Sequence, residues 1–220
     1  MPEKADSSSK RVLDPVERIA EVLFGLIMVL TITGSLSAAT AGRSEIRTML
    51  FSALGCNLAW GIIDGILYLM GCLAERSQRL RILKSVRKTA DPEKAQRLIA
   101  DTLPPLVASV MQTAELETIR QRLNQLPEPP AKAPLRRTDY LGGLGVFLLV
   151  FLSTFPVVIP FLVMQHAWWA LRVSNAVAIV MLFVTGCAFG RCTGRRPWVM
   201  GIIMVLVGAA MVGLTIALGG

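Results

Sequence analysis

An acidic residue, Asp64, lies deep inside an apolar segment of the chain. A charge at the centre of a bilayer costs about 2.5–3.5 kcal/mol on insertion scales, so Asp64 should face a helix bundle or water. Asn57, Gly61 and Tyr68 recur with it at helical spacing and form one polar stripe. A carboxylate, an amide and a phenol on one face could bind a cation or relay protons. The alternative is a neutral, protonated Asp64 that is hydrogen-bonded to a neighbouring helix.

Two further acids, Glu17 and Glu21, lie four residues apart and therefore on one face of a predicted first helix. Two carboxylates at the mouth of an ion path would concentrate cations there. We therefore predict that they form a cytoplasmic ion entrance. An ordinary solvated helix start is the alternative, because acids also suit the positive end of the helix dipole.

Methionine thioethers bind soft metal ions, and Met28 is the methionine that we single out. It lies in the inner half of the first apolar segment, and a hairpin with the second would bring it to a depth similar to that of Asp64. Methionine as packing filler is the alternative. The predicted ion pathway comprises Asp64, Met28, Asn57 and Tyr68. The single histidine, His166, does not make a metal site alone.

Composition indicates a membrane protein. Hydrophobic residues make up 53% of the chain and charged residues only 17%, whereas typical soluble domains carry about 25% charged residues. Roughly 20 apolar helical residues span a bilayer core of about 30 Å. The apolar runs are residues 22–41, 48–74, 140–164, 173–190 and 198–218. We therefore predict an all-α, polytopic membrane helical bundle with about five transmembrane helices.

Between the second and third runs lies a polar segment, residues 75–138, which contains 13 Lys and Arg residues. We predict it to be a cytoplasmic helical insert with helices over residues 75–89, 92–103 and 115–126, followed by a Pro-rich linker. Asp91 is the predicted N-cap of the second of these helices. The remaining predicted divisions are a disordered cytoplasmic N-terminus and two groups of transmembrane helices, at residues 1–13, 14–74 and 139–220.

Charge sets the predicted orientation. With the N-terminus in the cytoplasm, the inner segments hold 20 basic residues and the outer loops hold 3, out of 23. The positive-inside rule then predicts an inner-membrane protein with its N-terminus inside and its C-terminus outside. The net charge of +8 is therefore attributed to the lipid bilayer as partner, and we expect no nucleic-acid binding. Since no nucleophile–base arrangement is found, we expect neither an enzyme nor a bound cofactor.

The order of these parts resembles the vacuolar iron transporter family. The resemblance covers most of residues 14–220 and is carried by ERIAEVLFGLIMVLTITGSLSAA at Glu17–Ala39, by FPVVIPF at Phe155–Phe161 and by the small residues of the last two helices. It implies five spanning helices, a cytoplasmic insert, a homodimer, and export of divalent metal ions from the cytoplasm.

Several positions depart from the family pattern. The family follows a Phe-Gly in the first helix with an Asp-Gly, whereas here Phe24-Gly25 is followed by residues 26–29, Leu-Ile-Met-Val. In the second helix Tyr68 matches a family Glu-Tyr, but Leu67 replaces the Glu. An acid and a thioether have, on this hypothesis, exchanged helices. The insert is poor in acids, and its remaining candidates for metal binding are Glu93, Asp101, Glu115 and Glu117.

The function predicted from sequence is a proton-coupled divalent-cation transporter of the iron or manganese type that works as a homodimer. Asp64 exchanges a proton for a metal ion, and Pro156 and Pro160 act as a hinge in the third helix. The Gly-xxx-Gly pairs at residues 61–65 and 186–190 indicate close helix packing or a dimer face. The alternative is a non-transporting scaffold whose basic insert binds lipid or a partner.

Overall fold

The helical order was determined from a computed structural model, which describes residues 15–34 and 43–218. The described chain forms α1 (Pro15–Gly34), α2 (Arg43–Lys88), α3 (Pro92–Ala100), α4 (Pro105–Val110), α5 (Thr113–Gln125), α6 (Arg137–Ser153), α7 (Phe155–Val163), α8 (Ala167–Cys192) and α9 (Pro197–Ala217). The all-α prediction is therefore confirmed for these residues. The segment predicted to be a disordered N-terminus, residues 1–13, lies outside them.

Among the described residues, four helical segments are long and apolar enough to cross a membrane: Ser44–Lys88, Arg137–Val163, Ala167–Cys192 and Pro197–Leu214. The helix α1 is not among them, because its first turns carry Glu17, Arg18 and Glu21. Its described apolar part, residues 22–34, is only about 20 Å long. The rest of that predicted apolar run lies outside the described residues, so the fifth spanning helix stays a prediction.

The chain divides into two units, and the boundary falls within α2 after Tyr68. The first unit comprises Met1–Tyr68 and Arg137–Gly220, and the second comprises Leu69–Arg136. The core of the first unit is an apolar cluster to which α1, α2, α7 and α8 contribute. Its fully buried members include Leu26, Val29 and Val157. This unit therefore contains the residues of the predicted ion pathway.

A break divides the third predicted span into α6 and α7. Thr154 lies at the junction, and its carbonyl accepts hydrogen bonds at 3.2 Å from the amides of Val157 and Val158, which starts α7 anew. Pro156 has no N–H with which to pair the carbonyl of Leu152. The break therefore falls at Thr154, two residues before the first proline, while Pro160 lies inside α7.

Glycines allow α8 and α9 to pack closely. A Cβ on Gly186 would lie 2.6 Å from the carbonyl oxygen of Met200, and one on Gly190 would lie 2.9 Å from the Cα of Pro197. Gly65 similarly faces the carbonyl oxygen of Gly143 on α6, at 2.9 Å. The small-residue pairs found in the sequence therefore serve helix packing inside this chain.

The second unit is built on the end of α2. Val86, Ala95 and Ile99 are buried together. The face of α5 predicted from helical spacing packs on them, through Leu116, Ile119 and Leu123. Asp91 is the N-cap of α3, as predicted, and its side chain accepts a hydrogen bond from the amide of Glu93 at 3.0 Å.

Two element boundaries and one additional helix stand out among the differences from the sequence prediction. The helix α2 begins at Arg43 rather than at residue 48, so part of the expected polar link is helical. The helix α3 ends at Ala100 rather than at Leu103, where the amide of Leu103 bonds back to Ala100 in a tighter turn. The short α4 was not predicted, because Pro104 and Pro105 were interpreted only as breakers.

Candidate functional site

Two contacts fix the register between α1 and α2, and one electrostatic interaction agrees with it. The side-chain amide of Asn57 donates to the carbonyl of Gly25 at 3.1 Å. The rings of Phe24 and Trp60 meet edge to face at 5.6 Å between centroids. The charge of Asp64 acts on Glu21. Because residue numbers rise along α2 as they fall along α1, the helices run antiparallel and Asp64 lies level with the first turns of α1.

Glu21 and Asp64 form a pair of carboxylates at this level. Glu21 precedes the apolar part of α1, and burial raises its pKa above the usual 4.5, as do the negative charges of Asp64 and Glu17. Oδ2 of Asp64 is buried without a hydrogen-bond partner. Two neighbouring carboxylates of this kind can share a proton or a cation.

Met28 does not share this level. In the observed register, Asp64 lies beside Glu21, and seven residues of α1 separate Glu21 from Met28, a rise of about 10 Å. The expectation that Met28 and Asp64 lie at similar depth is therefore wrong for this structure. Antiparallel packing put the N-terminal turns of α1, rather than Met28, beside Asp64.

Tyr68 on α2 packs against the start of α6, where an acid that sequence reasoning missed also lies. The ring of Tyr68 packs directly on Gly142, where a Cβ would collide with it. Asp139, one turn earlier, is 5% exposed. Its sequence position could have indicated this burial. Asp139 lies three and four residues before Gly142 and Gly143, so it shares the helix face with which these two glycines contact α2. It was overlooked because it precedes the apolar run.

A polar cluster surrounds the break between α6 and α7. Asn57 and Thr154 are both 0% exposed, and the amide nitrogen of Asn57 donates to Oγ1 of Thr154 as well as to Gly25. Ser153 donates to the carbonyl of Val150 at 2.7 Å. Oδ1 of Asn57 is buried and has no partner. The amide thus joins three elements and leaves one acceptor unused.

Comparison with known families decides the assignment. A model of the VIT family matches residues 74–220. The chain belongs to the VIT family. The match confirms the resemblance found in the sequence, and membership indicates a membrane transporter of metal ions. A comparison with curated proteins finds no match.

The family match begins after the predicted ion pathway. It covers the second unit from residue 74 onwards and α6 to α9. The carboxylates at Glu17, Glu21 and Asp64 precede it, as does Asn57. In this VIT-family chain, the case for these four residues therefore depends on their geometry.

The acids of the insert do not gather into a metal site. Within the described residues, no group of three or more His, Cys, Asp or Glu side chains could hold a metal ion. Glu117 accepts hydrogen bonds from Arg120, Gln96 and Gln121, and the bonds from Arg120 and Gln96 lower its pKa to about 2. Glu115 accepts a hydrogen bond at 2.8 Å from the backbone amide of Gln112, in a capping box.

The remaining two insert candidates also have local positions. Glu93 lies exposed in the first turn of α3, and Asp101 lies exposed at its C-cap. Glu115 and Glu117 thus have partners within their own helical segment, and a metal role of the four insert acids stays a prediction.

Proposed function

We propose that this VIT-family protein exports divalent metal cations from the cytoplasm in exchange for protons. The observation that supports the proposal is the carboxylate pair of Glu21 and Asp64, held level by the antiparallel packing of α1 and α2. Carboxylate oxygens favour hard and borderline ions such as Mn²⁺ and Fe²⁺. The thioether of Met28 lies too far along α1 to join them.

Proton exchange follows from the electrostatics of the pair. The charge of Asp64 makes ionisation of Glu21 less favourable, and a divalent cation between the two carboxylates removes that repulsion. Protons that bind the pair neutralise the same charges and release the cation. Cation and proton therefore compete for one site, which is the requirement for antiport.

Glu17 extends the acidic surface outward from this pair. It is exposed, one turn before Glu21 on α1, and its charge acts on Glu21. An exposed carboxylate raises the local concentration of cations without binding them tightly. We propose that it serves as the cytoplasmic entrance, which fits an orientation with the N-terminus inside.

The break at Thr154 suits movement during transport. Discontinuous helices occur at the binding sites of many transporters, where the backbone can bend without losing a full ladder of hydrogen bonds. Here the break is already present and Pro156 and Pro160 follow it. We propose that α7 changes its angle to α6 when the cation leaves.

We also propose that the protein works as a homodimer.

The scaffold alternative depends on a free basic surface in the insert. Part of that charge is committed to internal bonds. Arg87 donates to the carbonyls of Leu123 and Pro127, at 2.9 and 3.2 Å, and also to the carbonyl of Leu126. Lys84 donates to Ala131 at 3.1 Å. These contacts favour a role in folding the insert over recruitment of a partner.

The test is uptake of Mn²⁺ or Fe²⁺ into proteoliposomes, with and without a pH gradient. Wild-type protein should carry a flux that responds to the gradient. Asp64→Asn should reduce it at least tenfold, because the pair loses one charge. Glu128→Gln, which removes an exposed acid from the Pro-rich linker, should leave it unchanged. A folded wild-type protein without flux would overturn the proposal in favour of the scaffold.

A further inference from the structure

Two buried acceptor atoms on α2 have no hydrogen-bond partner. Within the described residues they are Oδ1 of Asn57 and Oδ2 of Asp64. The two residues are seven positions apart, which is close to two helical turns, so they share a face and lie about 10 Å apart along the axis. The proposed cation site at the carboxylate pair gives the buried oxygen of Asp64 a ligand. The proton exchange described above does not use the buried oxygen of Asn57.

The unsatisfied atom of Asn57 is costly where it lies. The side chain is 0% exposed, and burying an acceptor without a hydrogen-bond partner destabilises the folded state. An apolar residue of the same shape would avoid that cost. Both hydrogens of the amide nitrogen are already used, one by Gly25 and one by Thr154. The oxygen is therefore the part of the side chain that is left for a ligand.

The partners of the Asn57 amide nitrogen are uncharged oxygen atoms. Oγ1 of Thr154 lies against the amide of Asn57, and the carbonyl of Gly25 lies 3.1 Å from its nitrogen. The α1 backbone also approaches α6 closely, since a Cβ on Gly25 would lie 2.6 Å from the carbonyl oxygen of Val150. Amide, hydroxyl and carbonyl oxygens are ligands for hard cations.

We propose that Oδ1 of Asn57 and Oγ1 of Thr154 form a second, uncharged site for the transported cation, two turns of α2 beyond Asp64. The inference rests on the proposed function. A cation that leaves the carboxylate pair needs a next position that holds it weakly, because conduction requires sites from which an ion can also depart. An amide and a hydroxyl hold a divalent ion more weakly than two carboxylates do.

The first test adds charge to this site. Asn57→Asp converts the uncharged site into a carboxylate site, so cation affinity measured calorimetrically on purified protein should rise at least tenfold. Turnover in proteoliposomes should fall, because the ion is retained. The gain should persist in the double variant Asp64→Asn/Asn57→Asp. An unchanged affinity in folded Asn57→Asp would mean that only water occupies the cluster and would overturn the second site.

The second test removes an oxygen from the otherwise native site. Thr154→Val deletes the hydroxyl while keeping the shape, and Thr154→Ser keeps the hydroxyl. Transport should fall severalfold in Thr154→Val and be retained in Thr154→Ser. Ser174→Ala is the control, since that buried hydroxyl donates to the carbonyl of Val157 at 2.6 Å and not to Asn57. Equal transport by the two Thr154 variants would also overturn the site.

These experiments separate the two proposals. If wild-type protein transports and needs Asp64, but the Asn57 and Thr154 variants behave as wild type, the second site fails and the transport proposal stands. If wild-type protein carries no flux, the transport proposal fails. The binding measurement then decides the second site: a gain in Asn57→Asp that is lost when Thr154→Val is added supports it, and no gain overturns it.

Discussion

At the scale of single residues, Glu21 shows how burial and neighbouring charges change the pKa of an acid. Burial and the charges of Asp64 and Glu17 all raise its pKa. Glu21 therefore takes up a proton at a higher pH than an ordinary glutamate. Since cation binding requires the ionised form, binding should be lost as the pH falls through this raised pKa.

Glu17→Gln tests that coupling. It removes one of the charges that raise the pKa of Glu21, so the pKa should fall and the midpoint of cation binding should move to lower pH. The measurement is cation affinity over a pH series, with Glu128→Gln as the matched control. A midpoint that stays in place or moves upward would contradict the assignment of Glu21 to the cation site.

The sequence predicted some of these residues and missed others for a physical reason. Periodicity along one helix groups Asn57, Asp64 and Tyr68, because the helical repeat is a local property. It contains no information on the register between helices, so it paired Asp64 with Met28 instead of Glu21. Thr154 was missed because a hydroxyl in an apolar run gives no signal until the break is seen.

At the scale of elements, glycine spacing sets how closely α8 and α9 approach. Gly186→Ala should destabilise the protein by about 1–3 kcal/mol, the usual range for overpacking, because the new Cβ meets the backbone oxygen of Met200 at 2.6 Å. Thermal unfolding in detergent measures this. Gly55→Ala is the control, since a Cβ there meets nothing within 4 Å.

The two substitutions should therefore have opposite signs. A helical Gly→Ala change in open space is neutral or stabilises by up to about 1 kcal/mol, because it reduces backbone freedom in the unfolded chain. If Gly186→Ala were as stable as Gly55→Ala, the close approach of α8 and α9 would be wrong.

The starts of α1 at Pro15 and of α3 at Pro92 follow from local chemistry, whereas the membrane-spanning length of α1 does not. Asp91 with Pro92 predicted the start of α3, because an N-cap and a proline at the first position act within one turn. The charged first turns of α1 leave only residues 22–34 as its described apolar part. Whether a helix spans a membrane depends on its whole apolar length, which local signals do not determine.

At the scale of the whole molecule, the proposed orientation can be tested with thiols. Cys192 is exposed at the C-terminal end of α8, and His166 is exposed at its N-cap. With the other cysteines replaced by alanine, an impermeant maleimide should label Cys192 only from the cytoplasmic side. In the same background with Cys192→Ala, His166→Cys should be labelled from outside. Labelling from the opposite sides would show that the proposed orientation is wrong.

The family match and the proposed cation sites lie largely in different parts of the chain. The match begins at residue 74, while the residues that we assign to chemistry precede it. Composition and charge were sufficient to predict a membrane protein, because both are averages over many residues. The site depends on a few contacts between distant segments, such as Asn57 with Thr154, and these could not be obtained without the structure.

The contacts of α1 have a consequence for biogenesis. It packs against α6, α8 and α9, and these helices leave the ribosome long after it does. Its buried face, with Leu26 and Val29, therefore stays exposed to lipid or to the insertion machinery until α6, α8 and α9 have been synthesised. Nascent chains stalled before α8 should remain bound to that machinery, whereas full-length chains are released. We therefore expect maturation to depend on α6, α8 and α9, which are synthesised after α1.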